Sequence, residues 1–151
     1  MRKIGELAAA VGRGLFAGAA GTAAMTVSST VEMKLRGRPP SPTPARAAAK
    51  VLGVEPVGER ERKRFATLVH WGYGTSWGAV RGAIGFARLD GVCAAAAFYA
   101  VVWGTELAML PSLDIGVPPA WEWGAAEVAI DAFHHVVFAT ATSAAYEALS
   151  D

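Results

Sequence analysis

The chain has 151 residues, 53% of them apolar and only 18% charged, with a net charge of +1 and a mean hydropathy of +0.32. The charged fraction lies below the usual quarter of a soluble domain, and the positive hydropathy points to lipid as the main solvent. One cysteine, Cys93, excludes an internal disulfide and any cysteine-rich metal site.

The N-terminus, "MRKIGELAAAVGRGLFAGAAGTAAM", has the outline of a signal peptide, but Glu6 and Arg13 interrupt its early apolar core. The uninterrupted run is 14–31, which predicts a first membrane helix that is kept rather than cleaved. A basic block follows. Nine Lys or Arg side chains fall between Lys34 and Arg64, opposed only by Glu55, Glu59 and Glu61. Flanked by apolar runs, this block reads as a loop held on the cytoplasmic side and not as a nucleic-acid surface. The other face would carry Arg2, Lys3, Arg13 and Arg88. Inside the loop, Thr43 can cap a short helix over 44–52 that begins on Pro44 and ends at Gly53. That helix should lie on the protein or on the headgroups.

Three more apolar segments follow. The run 65–80 contains His70 and continues past Arg81; 91–105 is followed by Glu106 and 107–113; 132–146 opens with His134 and His135 and extends backwards through Asp131 and Glu127. A bilayer span needs about 20 mostly apolar residues. Each segment reaches that length once one to three polar residues are admitted. Neither 14–31 nor 91–105 shows the charged face of a soluble amphipathic helix. The expected fold is therefore all-α: a single membrane domain over 1–151, a four-helix transmembrane bundle with spans at about 14–33, 65–88, 91–113 and 124–149. A basic loop, 34–64, carries the short interfacial helix. "RLDG" (88–91) is a tight turn that makes the second and third spans antiparallel neighbours. Trp121 and Trp123, between the third and fourth spans, suit the membrane–water boundary. Gly14 and Gly18, and the row Gly74, Gly78 and Gly82, have the spacing of close helix contacts in lipid. Cys93 in "GVCAAAAF" reads as a small buried thiol.

The titratable residues inside these segments carry the functional reading. With the basic loop taken as the bottom, a rise of 1.5 Å per residue puts His70 about 8 Å up, Glu106 and Asp131 about 10 Å, and His134 and His135 about 15–17 Å. Glu32 closes the first span. Glu127, Asp131 and His135 recur every fourth residue along one helix face. Charges facing lipid at such depths are costly, so these groups are expected to turn inward into one polar centre of Glu32, His70, Tyr73, Glu106, Glu127, Asp131, His134 and His135. Tyr73, three residues after His70, can hydrogen-bond within it. Arg81, about 24 Å up the second span, is expected to snorkel to the far interface.

Imidazole with carboxylate suits zinc, iron or manganese, and Glu106, Asp131, His134 and His135 are the candidate ligands. The same groups suit proton or ion handling, or they lock helix register by hydrogen bonding alone. A transporter of four short helices would need to form a homo-oligomer; an accessory subunit that packs through its glycine faces against a larger membrane complex, its polar centre purely structural, is the alternative from another class. A membrane-bound metalloenzyme is the remaining one. No phosphate-loop or dinucleotide glycine pattern and no Ser-His-Asp or Cys-His arrangement is present.

The stretches "GLFAGAAGTAAMT", "HWGYGTSWG" and "WEWGAAEVAIDAFHHVVFATATSAAYEAL" together resemble small bacterial membrane proteins of high-GC bacteria. More distantly, they are similar to the YagU-like inner-membrane proteins. The resemblance spans most of the chain. It implies a multi-pass inner-membrane location and brings no catalytic residues with it.

Overall fold

The structure, a computed structural model, describes residues 2–150. Among these the fold is all-α, with five α-helices and no strand: α1 (Arg2–Arg36), α2 (Thr43–Leu52), α3 (Glu59–Phe86), α4 (Gly91–Ser112) and α5 (Ala125–Ala148), with a single 3₁₀ turn at Ala120–Glu122. Two of them, α1 and α4, are long and apolar enough to cross a membrane. The 28 residues of α3 and the 24 of α5 give sufficient length, but Arg60–Arg64 and Arg81 in the one, and Glu127, Asp131 and the histidines in the other, dilute their apolar character.

Helix α1 starts at Arg2, twelve residues before the apolar run from which the first span was expected. A helix ends where its hydrogen bonds end, not where hydropathy changes. The early charges sit comfortably on its exposed face, with Arg2 and Glu6 paired at 3.4 Å across one turn. At 35 residues α1 is about 52 Å long, well beyond a hydrocarbon core of about 30 Å.

Glycine decides which helices meet. Gly14 and Gly18 of α1 lie directly against Gly78 of α3, and Gly82 lies against Ala10. A methyl group added at Gly18 would come within 2.6 Å of the Thr75 carbonyl oxygen, and one added at Gly78 within 2.8 Å of the Gly18 Cα. The two rows expected from the sequence thus face each other within the chain. Further along α1, Gly21 packs against Phe138 and Thr142 of α5. α1 is the central helix: α3 and α5 pack along it and α4 leans on α5.

This arrangement corrects the expected pairing of the second and third spans. The turn Ala87–Asp90 is tight, with Arg88 in the left-handed region at φ 64°. It makes α3 and α4 consecutive, yet they touch only lightly. The glycine row commits α3 to α1, because only there can two backbones approach so closely.

The main apolar core joins Phe98 and Val102 of α4 to Phe138 and Ala139 of α5, with Met25, Trp77 and Ile84 packed around them. The Phe98 and Phe138 rings lie 5.6 Å apart, centroid to centroid. A smaller cluster of Ala47, Leu110 and Ile115 fastens α2 against the last turn of α4. Pro42, not Thr43, precedes α2, and no side chain caps it. Thr43 is already helical, with its backbone N–H 3.3 Å from the Ser41 hydroxyl. Gly53 ends the helix at φ 64°, as its lack of a Cβ allows. Cys93 is exposed, contrary to its buried reading: in the first turn of α4 it lies on the outer face, while the adjacent Ala94 is buried.

Candidate functional site

The polar residues of α5 divide between its neighbours. Consecutive side chains on a helix diverge by about 100°, so His134 and His135, both buried, face different helices. His135 faces α4, where its Nε2 stands 2.5 Å from Glu106 Oε2. Its Nδ1 lies 2.9 Å from the backbone carbonyl of Asp131. A carbonyl oxygen can only accept, so Nδ1 carries the proton and Nε2 is the nitrogen presented to Glu106. Asp131 joins them. One carboxylate oxygen, Oδ2, accepts the indole N–H of Trp103 at 2.8 Å and lies 3.7 Å from His135 Nδ1. Ligand atoms of Glu106, Asp131 and His135 all fall within 4.8 Å of one another. Among the described residues no hydrogen-bond donor reaches the remaining oxygens, Asp131 Oδ1 and Glu106 Oε1.

His134 faces α1. Its Nδ1 shares a hydrogen bond of 2.7 Å with the Ser28 hydroxyl, and its Nε2 is 3.9 Å from Glu32, with no hydrogen-bond partner among the described residues. Glu32 in turn is clasped by Arg36, at 3.1 Å, and by Arg38. Arg36 also grips Glu127. Glu127 therefore leaves the stripe it was expected to share with Asp131 and His135. Eight residues turn a helix about 80° past two full turns, and at the first turn of α5 the basic end of α1 is the nearer partner. Glu127 holds the Arg36 guanidinium above its ordinary pKa, and Glu32 does the same for Arg38, in both cases first through the side-chain hydrogen bond.

His70 stands apart from both groups. Its Nε2 bonds the Thr26 hydroxyl at 2.7 Å, and Thr26 bonds back to the Thr22 carbonyl. Tyr73 is exposed and meets Trp77 edge to face, with no hydrogen bond to His70. The single shared centre expected from the sequence is thus three separate groups: Glu106–Asp131–His135 between α4 and α5, Glu32–His134–Ser28 with Arg36, Arg38 and Glu127 between α1 and α5, and His70–Thr26 between α3 and α1. Of the four candidate metal ligands, three come together and His134 does not.

Arg81 overturns its reading. It is fully buried, not snorkelling. Its Nε donates to Ser143 Oγ at 3.0 Å and its Nη2 to Glu147 Oε1 at 3.1 Å, while the guanidinium lies 4.5 Å from the centre of the Tyr146 ring. Its side chain turns sideways to α5 because Ser143, Tyr146 and Glu147 form a matching polar stripe there.

Sequence reasoning missed Trp103, Ser28, Arg36 and Arg38. Trp103 was legible, since it lies three residues before Glu106 and so shares its helix face. Ser28 gave no sign beyond ordinary helix composition. No known protein family, curated protein or solved structure matches the chain.

Proposed function

We propose that the chain is a four-span integral membrane protein of the bacterial inner membrane, and that Glu106, Asp131 and His135 bind a divalent transition metal. The outer surface supports the location. Phe16 and Val27 on α1, Leu68 on α3, Val101 on α4 and Phe133 on α5 are all exposed, so each of the four long helices offers apolar side chains outward while Arg81, His134 and His135 are turned in. In water that surface is a liability; in lipid it is the expected one. The membrane-protein resemblance points the same way.

The observation that carries the metal reading is the set of hydrogen bonds that hold the ligands themselves. A metal-binding imidazole usually donates its other N–H to a carbonyl or carboxylate, which fixes the tautomer, and the ligating carboxylates are themselves hydrogen-bonded. His135 is held in that manner by the Asp131 carbonyl, and Asp131 by Trp103. The ligand atoms span up to 4.8 Å, whereas bonds of about 2.0–2.2 Å place tetrahedral ligands roughly 3.4 Å apart. Binding would require the two carboxylates to rotate, drawing in the 4.8 Å span and widening the 2.5 Å contact between His135 Nε2 and Glu106. Two oxygens and one nitrogen suit manganese, iron or zinc, and three protein ligands leave positions open for water or another ligand.

Proton handling is the second reading, favoured by the contact between His135 Nε2 and Glu106, which lets one proton pass between imidazole and carboxylate. The accessory-subunit reading loses its glycine faces, since Gly14, Gly18 and Gly78 are spent inside the chain.

Elemental analysis and titration of detergent-purified protein with Mn²⁺, Fe²⁺ and Zn²⁺ test the first reading. About one metal per chain is expected, lost in Glu106→Gln/Asp131→Asn. Absence of binding by all three ions removes the metal reading. Proton flux into liposomes that disappears in the same variant would then support the second.

A further inference from the structure

At the opposite end of the bundle from the basic loop, three arginines from different parts of the chain converge. Arg13 comes from α1, Arg81 from α3 and Arg88 from the turn before α4; with Tyr146, Glu147 and Asp90 they line a cavity of about 450 Å³. Two carboxylates oppose three guanidiniums, and their use is lopsided. Glu147 spends one oxygen on both Arg81 Nη2, at 3.1 Å, and the Gly91 backbone N–H, at 3.0 Å. Neither Arg13 nor Arg88 has an acidic partner within 4.0 Å among the described residues. Nor does Asp90 pair with any of the three.

The donors left over are the informative ones. Arg81 is fully buried, and its Nη1 has no hydrogen-bond partner; the buried Nε of Arg13 has none either. Both guanidiniums stand by the same ring, Arg81 at 4.5 Å and Arg13 at 6.0 Å from the centre of Tyr146. Like charges gathered around a cavity with donors unspent are poised for an anion. A guanidinium presents its N–H groups as a planar fork that matches the oxygens of a phosphate.

We propose that this pocket binds a phosphate oxyanion, as a phospholipid headgroup or as a free phosphate. Arg81 is the fixed floor of the site, held by Ser143 and Glu147. Arg13 and Arg88, which are less buried, close on the anion from the rim. The site lies on other residues than Glu106, Asp131 and His135 and does not depend on metal binding there.

The test uses the full chain purified in a maltoside detergent, with the Arg13→Gln/Arg88→Gln variant beside it and Arg81 left in place to preserve packing. Inorganic phosphate is titrated calorimetrically. Retention of phosphatidylglycerol, against a galactolipid of the same acyl chains, is counted by native mass spectrometry. Binding of phosphate or selective retention of phosphatidylglycerol, weakened at least about ten-fold in the variant, supports the site. Phosphate binding identifies a free anion, and retention of phosphatidylglycerol without phosphate binding identifies a headgroup. Should the double variant misfold, Arg88→Gln alone, at an exposed position, must weaken binding in the same direction. Failure to bind either probe, or binding unchanged by these substitutions, overturns the proposal.

Discussion

Substituting Gly78 by alanine asks the structure to accommodate one methyl group at the point where α1 and α3 come closest. That carbon would overlap the Gly14 carbonyl oxygen and lie 2.8 Å from both the Gly14 carbonyl carbon and the Gly18 Cα. All three are backbone atoms, so no side chain can swing aside. Restoring an ordinary contact of 3.4 Å requires the helices to part locally by about 0.6 Å for the two carbons and by about 1.4 Å for the carbonyl oxygen. Overpacking of this kind costs about 1–3 kcal/mol, while replacing a mid-helix glycine by alanine returns roughly 0.5–1 kcal/mol of helix propensity. The net expectation is a loss of about 0–2.5 kcal/mol at Gly78. Gly72 is the internal control: it lies on the same helix, nothing stands within 4 Å of its added carbon, and Gly72→Ala should be neutral or stabilising. Gly14→Ala strains the same contact from the other side, so combining it with Gly78→Ala should be non-additive. Circular dichroism during denaturant titration in detergent micelles measures the series. If Gly78→Ala proves as stable as Gly72→Ala, the close approach of α1 and α3 is wrong.

Phe138→Ala removes a fully packed ring from the contact with Phe98 and should lower stability by about 3–5 kcal/mol in the same assay. Trp103→Phe deletes the N–H that steadies Asp131, so affinity for the proposed metal should fall about 10–100-fold with Glu106, Asp131 and His135 intact; titration of the variant with Mn²⁺ reads this directly. Arg36→Ala cuts the links to Glu32 and Glu127. Its effect on the melting temperature should be small at low salt and vanish at about 1 M, where the screening length is about 3 Å. In the proposed orientation, with the basic loop 34–64 on the cytoplasmic side, Cys93, exposed in the first turn of α4, should react with a membrane-impermeant maleimide from outside intact cells. Labelling only after lysis would reverse the orientation.

How much of this was legible follows from what each kind of residue controls. Turn residues act locally, so Pro42–Pro44 with Gly53, and Arg88–Gly91, marked the limits of α2, α3 and α4 to within a few residues. Hydropathy marked the apolar middle of α1 but not its start, since the stretch from Arg2 to Arg13 is helical and polar at once. The glycine rows announced a close contact without naming the partner; the sequence neighbour α4 was the natural guess, and α1, whose own row is complementary, is the answer. Depth could be computed from position, whereas direction around the helix could not. That is why Arg81 was sent to the far interface when its partners lay one helix away, in the stripe Ser143, Tyr146 and Glu147. The same loss of direction merged three polar groups into one centre.

The three groups nonetheless differ in a way that bears on function. A pair that only locks helix register should be closed, with donor matched to acceptor, because an unsatisfied polar atom in a packed interface is costly. His70 with Thr26 meets that description; Glu32 has both oxygens taken by Arg36 and Arg38, while His134 Nε2 beside it is buried without a hydrogen-bond partner among the described residues. The group at α4 and α5 does not meet it. There, two partly exposed carboxylates flank one imidazole, and Asp131 Oδ1 and Glu106 Oε1, which are not fully buried, receive no donor from the described residues. Two acidic groups held together with oxygens to spare repel each other unless a cation or a proton sits among them. Register could have been fixed with Trp103 and Asp131 alone. Glu106 beside His135 adds a second carboxylate to that contact, and the proposed metal or a shared proton would offset the repulsion between the two acids.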